Sequence, residues 1–417
     1  MAALVALTFV VVATLRDARQ VAAAVAPSLP ASMPGTSRAE LTLTVGTMTA
    51  RLATDPANGA AAVSLANALI RLQRVNNDGR AVITAEQHLR ALLARQRDHY
   101  DARRMLAAVL LSQHRFRDAI AEANKTMAID PRDGWNYGVA GDGYMELGDY
   151  PRAFDAFDRM GQLQPGPPAY ARIAYALEVK GDLTGALEYM RRAADGTSPN
   201  DAESQAWHYT QVGDLLLQLD RTAEARTQYE RAEATFPGHP MAILGRARVT
   251  ALDGDLKAAR LMLQSQLAKT ATPDLASAIA ELSLALGDTT AAAQYFQMAE
   301  QIERAAWGNG SRQPQVLARI LSEQPGRATE AVSLAEEAAR TRADVTTMDT
   351  LAWAYFKNGQ LAEAKNASAQ ALRTGTRNAR IRCHAEEIDA VYLGSARQAI
   401  SSVRAPGATR RCLEWRQ

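Results

Sequence analysis

The 417-residue chain has only two cysteines, Cys383 and Cys412, and no Cys-x-x-Cys pattern, which excludes a disulfide framework and a zinc site built on thiolates. Aromatic residues make up 6% of it, so close packing has to come from small side chains, and alanine duly runs through every segment. Neither sign of charge dominates: 47 basic residues stand interspersed with 45 acidic ones, for a formal net charge of +2. Without a basic stripe to neutralise phosphates, nucleic acid is not an expected partner. Catalytic signatures are missing as well. The histidines His88, His99, His114, His208, His239 and His384 form no His-Glu-x-x-His and no i, i+4 pair that would set two metal ligands on one helix face. There is no Gly-x-Ser-x-Gly elbow and no Gly-x-x-x-x-Gly-Lys loop. Gly141-Asp142-Gly143 starts like a dinucleotide-binding turn but follows no strand and lacks the third glycine. The sequence therefore points to no catalytic residue, cofactor or metal, and to a protein that is not an enzyme.

Long apolar runs are scarce too. One stands at the N-terminus, where Met1 to Leu15 carries no charge until Arg16, Asp17 and Arg19. It falls short of the roughly 20 residues that span a bilayer and lacks the basic start of a signal peptide, yet small residues from Ala22 to Ala26 offer cleavage options. Residues 1–20 are read as a signal or anchor, with membrane anchoring through residues 1–15. The expected location is periplasmic or membrane-anchored, and the alternative is a cytoplasmic protein with an apolar N-terminal helix. Lipidation is not indicated, since no cysteine follows the run and position 2 is not glycine. Residues 21–57, with Pro27, Pro30, Pro34 and Gly35, read as a linker.

What is present from about residue 58 onward is a repeat. One alanine recurs as Ala85, Ala119, Ala153, Ala186, Ala225, Ala259, Ala292, Ala331, Ala364 and Ala399, at intervals of 34, 34, 33, 39, 34, 33, 39, 33 and 35. Five residues before it stands Gly148, Gly181, Gly254, Gly287, Gly326, Gly359 or Gly394, where a helix has to stop in a tight turn. Twelve residues before it stands Ala107, Gly141, Ala174, Gly213, Ala247, Ala280 or Ala352, small enough to let two helices approach. The clearest unit, Gly134 to Pro165, sets Tyr137, Ala140, Gly141 and Tyr144 on one helical face, turns at Gly148, and sets Ala153 and Phe157 on the next. Each unit is thus an antiparallel helical hairpin.

The period and these residues resemble the tetratricopeptide repeat, with closing prolines at Pro131, Pro165 and Pro237 and family-like phrases at Leu351 to Tyr355 and Asp149 to Ala153. The pattern departs at Asn76 to Gly79, at Arg319 and at Glu386-Glu387. The expected fold is all-α: a right-handed superhelical solenoid of about nine or ten antiparallel helix pairs. The two 39-residue intervals imply insertions near 196–206 and 307–314. They suggest an array over 58–305, a loop joint at 306–314, a shorter array over 315–405 and a tail at 406–417.

The resemblance implies a concave groove lined by the first helix of every pair, in which a protein or peptide lies. In this frame the groove positions carry Arg104, Trp135, Asp142, Tyr175, Trp207, Asp214, Arg248, Asp349 and Trp353, a set rich in the aromatic and arginine side chains that anchor interfaces. Packing between hairpins is the competing role, above all for Trp353. The Lys and Asn clamp that some relatives close on a C-terminal carboxylate is absent, since its places hold Arg104 and Ala108, Gly138 and Asp142, Ala171 and Tyr175, and Thr210 and Asp214. Cys383 and Cys412 lie where a bridge is geometrically allowed, the alternative being two free thiols. The expected function is a non-catalytic scaffold for protein partners, and the alternative is an accessory or regulatory subunit of an exported enzyme system acting on polysaccharide or secreted protein.

Overall fold

The computed structural model describes residues 37–76, 79–308 and 312–400, and among these every regular element is a helix. A first helix α1 (Arg38–Thr54) precedes nine hairpins. These are α2 and α3 (Gly59–Asn76, Gly79–Arg95), α4 and α5 (Tyr100–Ser112, Phe116–Ile129), and α6 and α7 (Gly134–Glu146, Tyr150–Leu163). Then come α8 and α9 (Pro167–Val179, Leu183–Gly196), α10 and α11 (Ala202–Gln218, Thr222–Thr235), and α12 and α13 (Pro240–Leu252, Leu256–Leu267). The last three are α14 and α15 (Pro273–Ala285, Thr289–Gly308), α16 and α17 (Pro314–Ser322, Ala328–Thr341), and α18 and α19 (Val345–Lys357, Leu361–Ala371), followed by α20 (Ala379–Ile400). Consecutive helices pack side by side, as in a solenoid.

A Gly-Asp pair makes many of the hairpin turns. In the α6–α7 turn Gly148 takes φ +73°, its N–H donates to the Met145 carbonyl at 3.0 Å and the Asp149 N–H reaches back to the Tyr144 carbonyl at 2.9 Å. This closes the first helix, and the Asp149 carboxylate then caps the second by accepting from the Arg152 N–H. Gly181-Asp182 and Gly254-Asp255 repeat the arrangement. Where the glycine is missing the backbone demand persists: His114 and Asp220 adopt φ +60° and +58° at the corresponding place. The repeat alanines Ala85, Ala119, Ala153, Ala186, Ala225 and Ala259 are all fully buried. Small residues also make room for large ones, as where the Tyr229 ring lies so close to Gly245 that an added Cβ would sit 2.2 Å from it.

Four boundaries differ from the sequence reading. The expected linker over 21–57 contains α1, because Pro27, Pro30 and Pro34 precede it, Pro56 follows it, and Leu41, Val45, Met48 and Leu52 fall on one face behind a Ser37–Glu40 capping box. The expected joint at 306–314 begins inside α15, which continues through Trp307, and the interval near 196–206 likewise goes partly into a longer α10. The tenth unit does not turn at Gly394; α20 runs through it, since Ser395 rather than a capping aspartate follows and helix-forming Ala396, Arg397 and Gln398 come next. The apolar segment 1–20, the start of the linker and the tail with Cys412 lie outside the described residues.

Candidate functional site

The inner side of the solenoid is built from the first helices of the hairpins, and in hairpins two to four its ionic side chains turn to one another. Arg104 of α4 pairs with Asp133 at 2.6 Å and lies over the Trp135 ring, 4.9 Å from its centroid. Arg172 of α8 grips Asp142 of α6 through Nε and Nη2, at 3.0 and 2.6 Å, and reaches the same indole at 5.9 Å. Asp133 also caps α6 at the Trp135 N–H and accepts from the Tyr100 hydroxyl. Burial raises the Asp142 carboxyl above its usual range, against the pull of Arg172. Three of the sequence-derived candidates, Arg104, Trp135 and Asp142, therefore stand together in a packed network whose charges are paired, while the buried Trp135 Nε1 has no hydrogen-bond partner.

The solenoid also closes on itself. The loop between α17 and α18 meets the α6–α7 turn: the Ala343 N–H donates to the Glu146 carbonyl at 3.1 Å, and the Val345 N–H donates to the Tyr150 hydroxyl at 2.8 Å across 195 residues. Arg342 bridges Glu146 and Asp344 at 2.7 Å each, and Arg373 donates to the Ala343 carbonyl at 2.7 Å. Met145 and Tyr150 join Val345, Ala371 and Ile381 in one apolar cluster. Loss of solvation, opposed by Arg342 and reinforced by Asp344 and Asp142, pushes the Glu146 carboxyl up to about 7. Tyr175 stands nearby and is 40% exposed; dense walls and the carboxylates of Glu146, Asp344 and Glu178 raise its hydroxyl well above the usual value. A second closure ties hairpin one to α10 through Arg71–Asp201 at 2.5 Å and Arg74–Glu203 at 2.9 Å. Trp207 is set edge-on to His208, half-buried against the core of hairpins four and five.

The inner face stays open farther along. Between α12, α14, α16, α18 and α20 lies a cavity of about 380 Å³, and beside it another of about 650 Å³ reaches α15. Glu281, Arg319, Trp353, Arg380 and His384 line both, and the Arg380–Glu281 bridge at 2.9 Å stands between them. Arg248, Asp349 and Trp353 are the predicted residues gathered here. Arg248 pairs with Asp214 at 3.5 Å, whose carboxylate also accepts from the Tyr229 hydroxyl at 2.6 Å. Asp349 is buried and faces His384 Nδ1 at 3.0 Å. Trp353 is 7% exposed, stacked on His384 at 4.0 Å and donating from Nε1 to Glu323 at 2.6 Å, so it forms wall and packing at once.

Sequence reasoning missed Glu281, Ser277, Arg380 and His384. A signal existed for three of them. Glu281 stands eleven residues before its repeat alanine, as Asp142, Tyr175, Asp214, Arg248 and Trp353 do, and Ser277 stands fifteen before, as Arg104 and Asp349 do. His384 of α20 likewise stands fifteen before Ala399, whereas Arg380 stands nineteen before it, at none of these positions. Among the described residues no three His, Cys, Asp or Glu side chains gather as a metal site, and no helix is long and apolar enough to cross a membrane. Cys383 is disulfide-bonded, while Cys412, its expected partner, lies outside the described residues.

Comparison with known proteins agrees with this architecture. A family model described as tetratricopeptide repeat matches residues 84–133, 139–202 and 212–276. A chain of the APC/C hetero-tetramer Cut9–Hcn1 superposes with a TM-score of 0.51 at 13% identity, over 85% of this chain and 60% of that one, so the present chain spans under two thirds of that relative. The human IFIT1 dimer with m7Gppp-AAAA gives 0.51 at 15% identity, over 81% of this chain and 77% of that one. Yeast Tom70 gives 0.45 at 13% identity, over 87% and 88%. No curated protein matches the chain. The three matched segments are thus tetratricopeptide repeats, and the same helical hairpin, often closed by a Gly-Asp turn, is stacked nine times among the described residues.

Proposed function

We propose that the chain is a non-catalytic scaffold that holds a segment of a protein partner in the inner channel of its last four hairpins. The observation that carries this reading is the pair of cavities flanking the Arg380–Glu281 bridge, of a size that takes several residues of peptide and lined by aromatic, methionine and arginine side chains. In the network around Trp135, by contrast, the charged groups already hold one another. The guanidinium groups facing the channel are paired with carboxylates, Arg319 with Asp274 and Arg380 with Glu281, which argues for a peptide over a nucleic-acid phosphate. Met241 lines the smaller cavity, whereas Leu261, 65% exposed, lies on the second helix of the same hairpin. A photo-crosslinking residue at Met241 is expected to capture a discrete partner that the same residue at Leu261 does not. Capture from Leu261 alone would overturn the assignment of the channel.

We also propose export, with residues 1–15 as signal or anchor, a reading that the disulfide at Cys383 supports because such bonds persist in oxidising compartments. Rapid labelling of wild-type protein by a membrane-impermeant reagent in intact cells tests it, and labelling only after lysis would refute it.

A further inference from the structure

The larger cavity has the makings of a specific pocket. Part of its wall is apolar, from Leu284, Ala293, Phe296, Ile320, Trp353 and Phe356, and the rest is polar or charged. Most charged side chains around it hold counter-charges: Arg380 holds Glu281, Arg319 holds Asp274, Lys357 reaches Glu323 at 3.3 Å, and Arg327 lies between Glu300 and Glu330. A charged ligand group would have to break one of these pairs, whereas a neutral one leaves them intact. One buried neutral polar atom stands apart. Ser277 is 3% exposed and lines the cavity, and its hydroxyl has no hydrogen-bond partner, although a helical serine commonly bonds a carbonyl one turn back, as Ser283 does to Ile279 at 2.8 Å. A buried hydroxyl without a partner costs free energy that a bound ligand recovers.

Resting on the reading of the channel as a peptide groove, we infer that this cavity is the anchor pocket: it takes one bulky, uncharged apolar side chain, aromatic or leucine-like, of the bound segment, with a peptide group of that segment hydrogen-bonded to the Ser277 hydroxyl. Phe296 and Phe356 line the space for such a side chain, and the stacked Trp353–Phe356 pair, 5.0 Å apart, fixes one wall of the pocket.

The test is selection of phage-displayed random heptapeptides on the full chain, followed by binding of the recovered peptides to three variants that melt like the wild type. Ala293→Trp fills the larger cavity from an exposed position, Met241→Trp fills the smaller one, and Ser277→Ala removes the hydroxyl. Recovered peptides are expected to share one uncharged apolar residue and to lose binding to Ala293→Trp. Ser277→Ala is expected to bind them about threefold to tenfold more weakly while melting at the same or a higher temperature, because it removes a buried unsatisfied group. Peptides that share a charged residue, or that bind Ala293→Trp as well as the wild type, would overturn the pocket. If such peptides are lost with Met241→Trp, the scaffold reading stands while the pocket falls; if no peptide is recovered, both fall.

Discussion

Hairpins two to four and hairpins six to nine present the same repeat positions to the inside of the solenoid, yet one stretch is filled and the other is hollow. Eleven residues before the repeat alanine the first stretch carries Asp142, which is tied to Arg172 by three short contacts. The second carries Glu281 at that place, and its partner Arg380 comes from α20, three hairpins onward, across open space. A side chain answered by its neighbour closes the surface, and one answered from a distant helix bridges a cavity. The repeat frame thus decides where a side chain points, while the coiling of the array decides whether it packs or lines a site.

The largest effect that tests this contrast lies at the contact that holds the coil closed. Gly148 and Gly254 occupy equivalent turns with φ +73° and +96°, but an added Cβ meets the Ala343 carbonyl oxygen at 2.3 Å in the first and nothing within 4 Å in the second. Both alanine variants incur the left-handed strain of about 1 kcal/mol, and Gly148→Ala is expected to lose a further 1 to 3 kcal/mol in urea unfolding because the clasp is pushed apart. Small-angle scattering should show expansion for that variant alone. Equal losses at the two sites would mean that the closure contributes nothing.

Next in size is a pH effect in the hollow stretch. Glu303 is 2% exposed, accepts from Trp307 Nε1 at 2.9 Å, and is pushed up to about 7 chiefly by burial. Its folded value lies above its unfolded one of about 4.5, so the fold favours the neutral acid, and stability is lost as pH rises from about 4.5 through 7. Glu303→Gln keeps an acceptor for the indole and removes the charge. It is expected to match the wild type at pH 4.5 and to be more stable by about 1 to 3 kcal/mol at pH 8, read from urea midpoints. In the filled stretch the expected sign is the reverse: Arg172→Met leaves Asp142 buried without its cation and should lower stability by about 1 to 2 kcal/mol while leaving peptide binding in the channel unchanged. Lost peptide binding there would put the site back among Arg104, Trp135 and Asp142.

The hairpins were legible because they are written locally: an alanine at a fixed place in each, and in most a glycine five residues before it, often followed by an aspartate. α1 was hidden by the prolines upstream of it, although Leu41, Val45, Met48 and Leu52 keep a helical spacing. The inner positions were legible as positions, and the phase that picks out Asp142 and Trp353 also reaches Glu281. Their roles were not, because the partners that decide them stand far away in sequence: Arg342 with Glu146, Arg71 with Asp201, Arg380 with Glu281. Such pairings depend on the pitch of the superhelix, which sums small rotations over many hairpins and leaves no mark at any single residue.

The smallest expected effect separates backbone demand from side-chain packing at two turns that lack glycine. His114 and Asp220 hold the same repeat position at φ +60° and +58°, so each bears strain that glycine would relieve. Asp220 is exposed, and Asp220→Gly is expected to stabilise by roughly 0.5 kcal/mol, since the gain in the folded turn is partly offset by the freer unfolded chain. His114 sits edge-on to Phe116 at 5.8 Å, and burial, aided by Arg342, lowers its imidazole to about 4. His114→Gly gains the same relief but removes that ring contact, in the filled stretch where Arg342 of the clasp also reaches Phe116 at 5.8 Å. Its expected outcome at pH 7 is a net loss of about 1 kcal/mol by urea unfolding. If both variants gained equally, His114 would be a turn residue alone, and the dense packing assigned to this side of the solenoid would stop short of it.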